Sequence, residues 1–329
     1  MTDDLAQADA RDAAAARDAA AAAVHRGDGL LAAVTRRRLA ILAAGTALLG
    51  WAMMALGAFV RASESGLGCP DWPACHGALV AGGHHAIIEE FHRWVATVLI
   101  VGAIGLALTV FRAYRHERRV TRPMAWVLAL LVLQVVLGGV TVLLRNVSWT
   151  VVVHYGGAAL LVASLTLVSV RLAYPTTDQA PRDSFSALIA WFVALSLGLL
   201  LAGSTVANTD SHTACGRGFP LCNGSLIPSL DHHVLLNLTH RAWAGAMLVF
   251  AIWVLVRSRR DRAGVPAITW AAAVVTILYL VQAGIGIAVV AVGENTVVEV
   301  LHSSIGSLTW MALMALLSLT RTLPRTLRP

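Results

Sequence analysis

The chain contains no lysine. All 25 of its basic residues are arginine, which reflects coding bias rather than function. Charge of either sign is scarce: only 13% of the 329 residues are charged, about half the share of an ordinary soluble domain. With 57% hydrophobic residues and a mean hydropathy of +0.71, this excludes a soluble globular protein. A formal net charge of +7 would point to nucleic acid in a soluble chain. Here the arginines lie in short segments between apolar runs, so the excess describes membrane topology and no nucleic-acid partner is expected. A cleaved signal peptide is not expected either. Arg36-Arg37-Arg38 leads into a run long enough to span, and no Ala-x-Ala site precedes a soluble domain.

What the chain does have is runs of about 20 apolar residues, the length an α-helix needs to cross roughly 30 Å of hydrocarbon. Eight spans are expected, beginning near Leu39, Ile87, Met124, Trp149, Phe185, Val234, Pro266 and Val297. They end near Val60, Arg112, Leu144, Leu172, Ala207, Arg257, Val292 and Leu319. The connecting segments alternate between arginine-rich and arginine-poor. The positive-inside bias therefore places both termini in the cytoplasm and the two cysteine loops outside, in a multi-pass cell-membrane protein. The expected fold class is an all-α polytopic membrane protein of two parallel-repeat four-helix bundles, with a pseudo-twofold axis along the membrane normal. Residues 1–35 form an Ala-rich tail without a wide apolar face, expected to be disordered. The bundles occupy 36–175 and 185–320, joined by a linker at 176–184, and a tail follows at 321–329.

The four cysteines fall in two loops, Cys69 with Cys75 and Cys215 with Cys222. Paired cysteines on the oxidising side of a membrane suggest two intraloop disulfides, with free thiols or a metal site as the alternatives. Sliding the chain on itself by 148 residues brings His92 onto His240, Arg93 onto Arg241, Gln134 onto Gln282, Gly138 onto Gly286 and His154 onto His302. This internal repeat is what implies two bundles of the same orientation.

Histidines inside membrane spans are functional candidates, because burying an ionisable group in hydrocarbon is costly. His92 and His154 each lie about five residues into an inward-running span, roughly 8 Å below the outer surface. His240 and His302 repeat the arrangement. Two imidazoles at one depth on different helices can bind a heme iron from both faces. A histidine hydrogen-bonded between helices is the plainer alternative, and zinc lacks the further ligands it needs. His84, His85, His232 and His233 flank the spans, where a solvated role is adequate. The intraspan glycines fit close helix packing or room for a flat macrocycle. Arg93 and Arg241 are candidates for heme propionates, for pairing with Glu89, or for interfacial snorkelling. Glu89 shares a helical face with His92, and its match in the second half is Asn237, which cannot carry a proton. A carboxylate at one of two equivalent sites suggests that one reacts while the other holds a cofactor; an interfacial acid favoured by the helix dipole is the alternative.

Several runs resemble the signatures of the heme A synthase family: Gly57-Ala58-Phe59-Val60-Arg61, Ser65 to Pro73, and Glu89-x-x-His92-Arg93. The second-half loop Cys215-Gly216-Arg217 to Cys222-Asn223-Gly224 and Thr239-His240-Arg241 do so as well. The resemblance runs from about Arg38 to Leu319. It implies an enzyme that oxidises a porphyrin-ring methyl of heme O to a formyl group, giving heme A, with water as the oxygen source. It further implies that His92 and His154 take the substrate heme and that His240 and His302 hold a permanent heme b. Glu89 would be the family's essential carboxylate, and the first cysteine pair would matter for activity. The implied partners are heme O, membrane lipid, a heme O synthase, a quinone or other electron acceptor, and a second copy of the chain. Two departures stand out: the family's Thr-Gly-Ser-Gly run reads Ser63-Glu64-Ser65-Gly66 here, and the first cysteine pair has five intervening residues, one fewer than the second. A di-heme electron-transfer cytochrome and a parallel-repeat transporter are the rival expectations.

Overall fold

In the computed structural model, residues 35–75, 77, 82–175, 183–226, 228 and 231–323 are described. The tails expected at 1–35 and 321–329 and the linker at 176–184 lie largely outside that set. Among the described residues eight helices are each long and apolar enough to cross a membrane: α1 Thr35–Ala62, α2 His84–Ala113, α3 Arg118–Leu143, α4 Ser148–Ala173, α5 Ser184–Ala207, α6 His232–Asp261, α7 Pro266–Val292 and α8 Thr296–Thr322. No strand occurs among the described residues.

Local chemistry fixes several helix ends. Asp183 opens α5 with a capping box, accepting from the Ser186 amide while the Ser186 hydroxyl accepts from the Asp183 amide. Asp231 and Asn295 cap α6 and α8 in the simpler way. At the end of α1, Ser65 N–H bonds to Val60 O at 2.9 Å and Glu64 N–H to Arg61 O at 3.0 Å, with Glu64 at φ +55°. This is a Schellman turn whose left-handed residue is usually glycine. Helix α3 starts at Arg118, six residues before the expected Met124, and contains Pro123. Proline removes the N–H that would have bonded to Arg119 O. That carbonyl is taken instead by Arg171 Nη1 of α4, at 2.6 Å.

Among the described residues the buried apolar side chains form two large clusters, with a small one around each cysteine pair. One, around Val110, Val120, Met124, Val127 and Leu165, draws on α1 to α4. The other, around Phe185, Phe192, Ile268, Trp310 and Leu313, draws mainly on α5 to α8 and takes in Ala159 and Val162 of α4. The two halves meet along α4 and α8, where Trp310 Nε1 donates to Ala159 O at 2.8 Å. Trp51 Nε1 of α1 donates to Ser304 O of α8, also at 2.8 Å. At the cysteine-loop end, Ser148 donates to Asn208 O and Thr296 to Ala62 O, so the first turn of α4 is tied to the end of α5 and that of α8 to the end of α1. The outward faces carry Trp126, Trp191, Val249 and Trp270, each largely exposed, as suits a hydrocarbon solvent rather than water.

Candidate functional site

Both pairs of sequence-identified histidines are brought together near the loop end of the bundles. His92 of α2 lies within electrostatic reach of His154 of α4, and His240 of α6 of His302 of α8. A glycine of a neighbouring helix presses on each ring. A Cβ built at Gly57 would lie 3.3 Å from His92 Cε1, at Gly138 3.6 Å from His154 Cε1, at Gly203 2.9 Å from His240 Cε1, and at Gly286 3.1 Å from His302 Cε1. Glycine at these positions lets the backbone approach and hold each imidazole edge. Gln282 Nε2 lies 3.2 Å from His302 Nδ1. Gln134, with its amide nitrogen turned toward the ring, lies 3.2 Å from His154 Nδ1. The glycine contacts place Gly57 opposite Gly203, a shift of 146 rather than 148, because the second cysteine loop and its flanks hold two more residues than the first. Aligning Cys69 on Cys215 separately would have found Gly57 and Gly203.

Heme fits this donor set. His92 Nδ1, His240 Nδ1, Arg241 Nη2 and Gln282 Oε1 are buried without a hydrogen-bond partner, an arrangement that costs free energy unless a ligand engages the site. Among the described residues no three His, Cys, Asp or Glu side chains converge to cage a bare metal ion. Paired imidazoles suit a group that brings its own further ligands to the iron.

The two halves differ where the loop meets the helix. Both disulfides are formed, Cys69–Cys75 and Cys215–Cys222. In the first half Glu89 is 4% exposed. Its Oε2 accepts from the Cys69 amide at 2.9 Å and its Oε1 from Arg93 Nη2 at 2.7 Å. Glu89 makes no hydrogen bond to His92, so the shared helical face does not become a contact. Arg93 also donates to the carbonyls of Cys69, Asp71, Pro73 and Ala74 at 2.8–3.3 Å. The loop lies so close to α2 that a Cβ at Gly68 would stand 2.4 Å from His85 C. In the second half Asn237 Nδ2 donates to Ser211 O at 2.6 Å while its Oδ1 is left unpaired. Arg241 reaches only Gly218 O and Leu221 O, at 3.3 and 3.5 Å.

His85 and His233 are more than solvated flanks. Ser65 Oγ meets His85 Nδ1 at 2.9 Å, and Ser211 Oγ meets His233 Nδ1 at 3.0 Å, with both serines fully buried. These contacts tie each loop to the helix that follows it.

Residues 40–91, 83–166 and 146–314 match the model of the COX15-CtaA family, described as cytochrome oxidase assembly protein. The chain belongs to that family. The matched segments include both histidine pairs, Glu89 and both cysteine pairs. Curated relatives named heme A synthase are similar along most of their length. That of Halalkalibacterium halodurans is 29% identical over 266 residues, covering 78% of this chain and 88% of its own. That of Alkalihalophilus pseudofirmus is 28% identical over 289 residues, 84% and 95%. That of Symbiobacterium thermophilum is 31% identical over 236 residues, 68% and 76%. As a COX15-CtaA protein the chain therefore carries its two histidine pairs and the buried carboxylate of Glu89 within the segments that match the family.

Proposed function

We propose that the chain is a heme A synthase, oxidising a ring methyl of heme O to the formyl group of heme A. One observation carries the reading beyond family membership. Of two matched histidine sites, only the first has a buried carboxylate, Glu89, held by a loop amide and an arginine. The second has Asn237. In this reading His92 and His154 bind the substrate heme iron, and His240 and His302 hold a resident heme b. Arg241, with a buried nitrogen left over, suits a heme b propionate. Arg93 spends its guanidinium on the loop and on Glu89, so it acts as a positioning residue.

Converting a methyl to a formyl group with water as oxygen donor releases four electrons and four protons. The bound heme supplies one-electron redox chemistry. The protein must move protons, exclude bulk water and pass electrons to a quinone or other acceptor. Glu89, buried yet ionically paired, can accept a proton at an oxygen and can steady positive charge developing beside it. The Cys69 amide and Arg93 fix where that carboxylate points. The two halves would be repeats about an axis along the membrane normal, occupying 36–175 and 185–320 between the two tails. Both termini would be cytoplasmic and the loops outside, in a bacterial cell membrane. Lipid, an upstream heme O synthase and further copies of the chain are the implied partners.

The test is pigment extraction from purified protein. Heme b together with heme O or heme A is expected. Two heme b per chain and neither of the others would overturn the reading in favour of a di-heme cytochrome. Glu89→Gln, expressed with a source of heme O, should keep heme b and accumulate heme O.

A further inference from the structure

A third loop contact separates the halves. Between the first pair of cysteines, Trp72 turns its indole onto α3. A Cβ built at Gly139 would lie 3.2, 3.3 and 3.4 Å from Trp72 Cδ2, Cε2 and Cε3. The flat of the ring therefore rests where α3 has no side chain. Gly139 is buried and Trp72 is 42% exposed, so one face of the indole seals the bundle while the other meets the surroundings. The neighbouring Gly138 is the residue that meets His154. The second half builds no such seat. Its loop aromatic is Phe219, 50% exposed, and the residue matched to Gly139 is Ile287, 43% exposed. A branched side chain fills the position that glycine leaves open in the first half.

We propose that Trp72 is a positioning residue of the first-half heme site: seated on Gly139, its indole caps the loop end of that site and slows exchange of the heme bound there. The proposal rests on the reading that the first half takes heme O. The sealed half is the one in which a carboxylate has to work out of bulk water. The second half, holding a resident group by its two histidines, has no such requirement. Arg93 carries the rest of the loop on four carbonyls, so the indole can be removed or displaced without freeing the loop.

The experiment uses the full chain in detergent, holding heme b and loaded with heme O, mixed with excess apomyoglobin as heme scavenger. Extraction at intervals reads loss of heme O and of heme b separately. Trp72→Ala should speed heme O loss about tenfold, the scale of one lost aromatic contact. Gly139→Ile, which puts the second half's side chain under the indole, should do the same. Heme b loss should be unchanged in both variants, which also reports that the fold is intact. The double variant should be no faster than either single one, because both remove the same seat. Trp72→Phe should restore part of the retention. Unchanged heme O loss in both single variants, or additive effects in the double, would overturn the proposal while leaving the function standing. Failure of the wild-type chain to retain any heme O would overturn both.

Discussion

The two loop-end sites share a frame and differ in how the loop is held. Each has a histidine pair, a glycine against each ring, a disulfide and a serine–histidine tie. The differences all fall where loop meets helix: Gly68 against Ala214, Glu89 against Asn237, Arg93 with its loop carbonyls against Arg241 with two longer contacts, and Gly139 against Ile287. The paired-histidine frame is thus present in both halves, while the first half draws its loop tightly down onto α2 and α3. Reactivity on this account is a property of the loop clamp as much as of the carboxylate. A glutamate without the Cys69 amide and Arg93 would be an ordinary buried acid.

The largest expected effect breaks the comparison at its chemical centre. Glu89→Gln should lower heme A formation by about 10²-fold or more, the usual contribution of a positioned acid–base group, with heme b content unchanged. Adding Asn237→Glu to that variant should not rescue it, because no loop amide and no clamped arginine wait at the second site. Recovered heme A in the double variant, read by pigment extraction, would show that the carboxylate alone suffices. Next comes the loop approach. Gly68→Ala drives a methyl into the His85 backbone and must lift the Cys69 amide off Glu89. A drop of about tenfold in heme A formation, roughly the worth of one hydrogen bond to a charged group, should follow with heme b retained. Ala214→Gly in the second half should be silent in the same assay.

Much of this was legible in the sequence. Eight spans, two cysteine loops and four histidines follow from run length, arginine placement and a single repeat shift. Those signals are one-dimensional, and hydrocarbon enforces them strongly. The clamp was not legible. Arg93 reads equally well as a propionate ligand, an ion-pair partner or a snorkelling side chain, because the carbonyls it binds are backbone groups that any residue would supply. Gly68 and Gly139 are single glycines among 27, and only the neighbouring atoms show which of them permit a close approach. Glu89 and His92 share a helical face, yet the partners of Glu89 come from the loop and from Arg93. A face shared on one helix says nothing about what another segment brings to it.

A smaller effect sharpens the comparison at the opposite end of the bundles. Burial pushes the Asp183 carboxyl up, but the Ser186 amide, the Arg262 guanidinium and the Ser186 hydroxyl outweigh it and hold the group at about 2. The ion pair with Arg262 ties the start of α5 to the end of α6. The corresponding tie in the first half joins Arg36 to Glu117 at 2.8 Å, with Glu117 43% exposed. A carboxyl whose folded value is depressed stabilises the fold above its unfolded value near 4, and that contribution disappears as pH falls through about 2. Asp183→Asn should therefore cost about 2 kcal/mol near neutral pH. Its deficit in Tm relative to wild type should close between about pH 4 and pH 2. Glu117→Gln, at the exposed pair, should cost less than about 1 kcal/mol. Equal deficits for the two variants at pH 6 would remove the distinction between the two ties.

The smallest effect concerns Glu64, the departure from the family's Thr-Gly-Ser-Gly run. Its φ of +55° lies in the left-handed region, which costs a non-glycine residue roughly 1–2 kcal/mol. Its side chain is exposed, so the carboxylate does not repay that cost by packing. Glu64→Gly should relieve the strain, offset by about 0.4–1 kcal/mol of extra freedom in the unfolded chain. The net gain should be below about 1 kcal/mol, a rise of about 2 °C in Tm. The turn sets the path of the chain from α1 toward Ser65, Gly68 and Cys69, and glycine keeps that path because the two Schellman bonds are made by backbone. Heme A formation should accordingly be unchanged. A fall in activity at raised Tm would assign the Glu64 carboxylate a part in the first site.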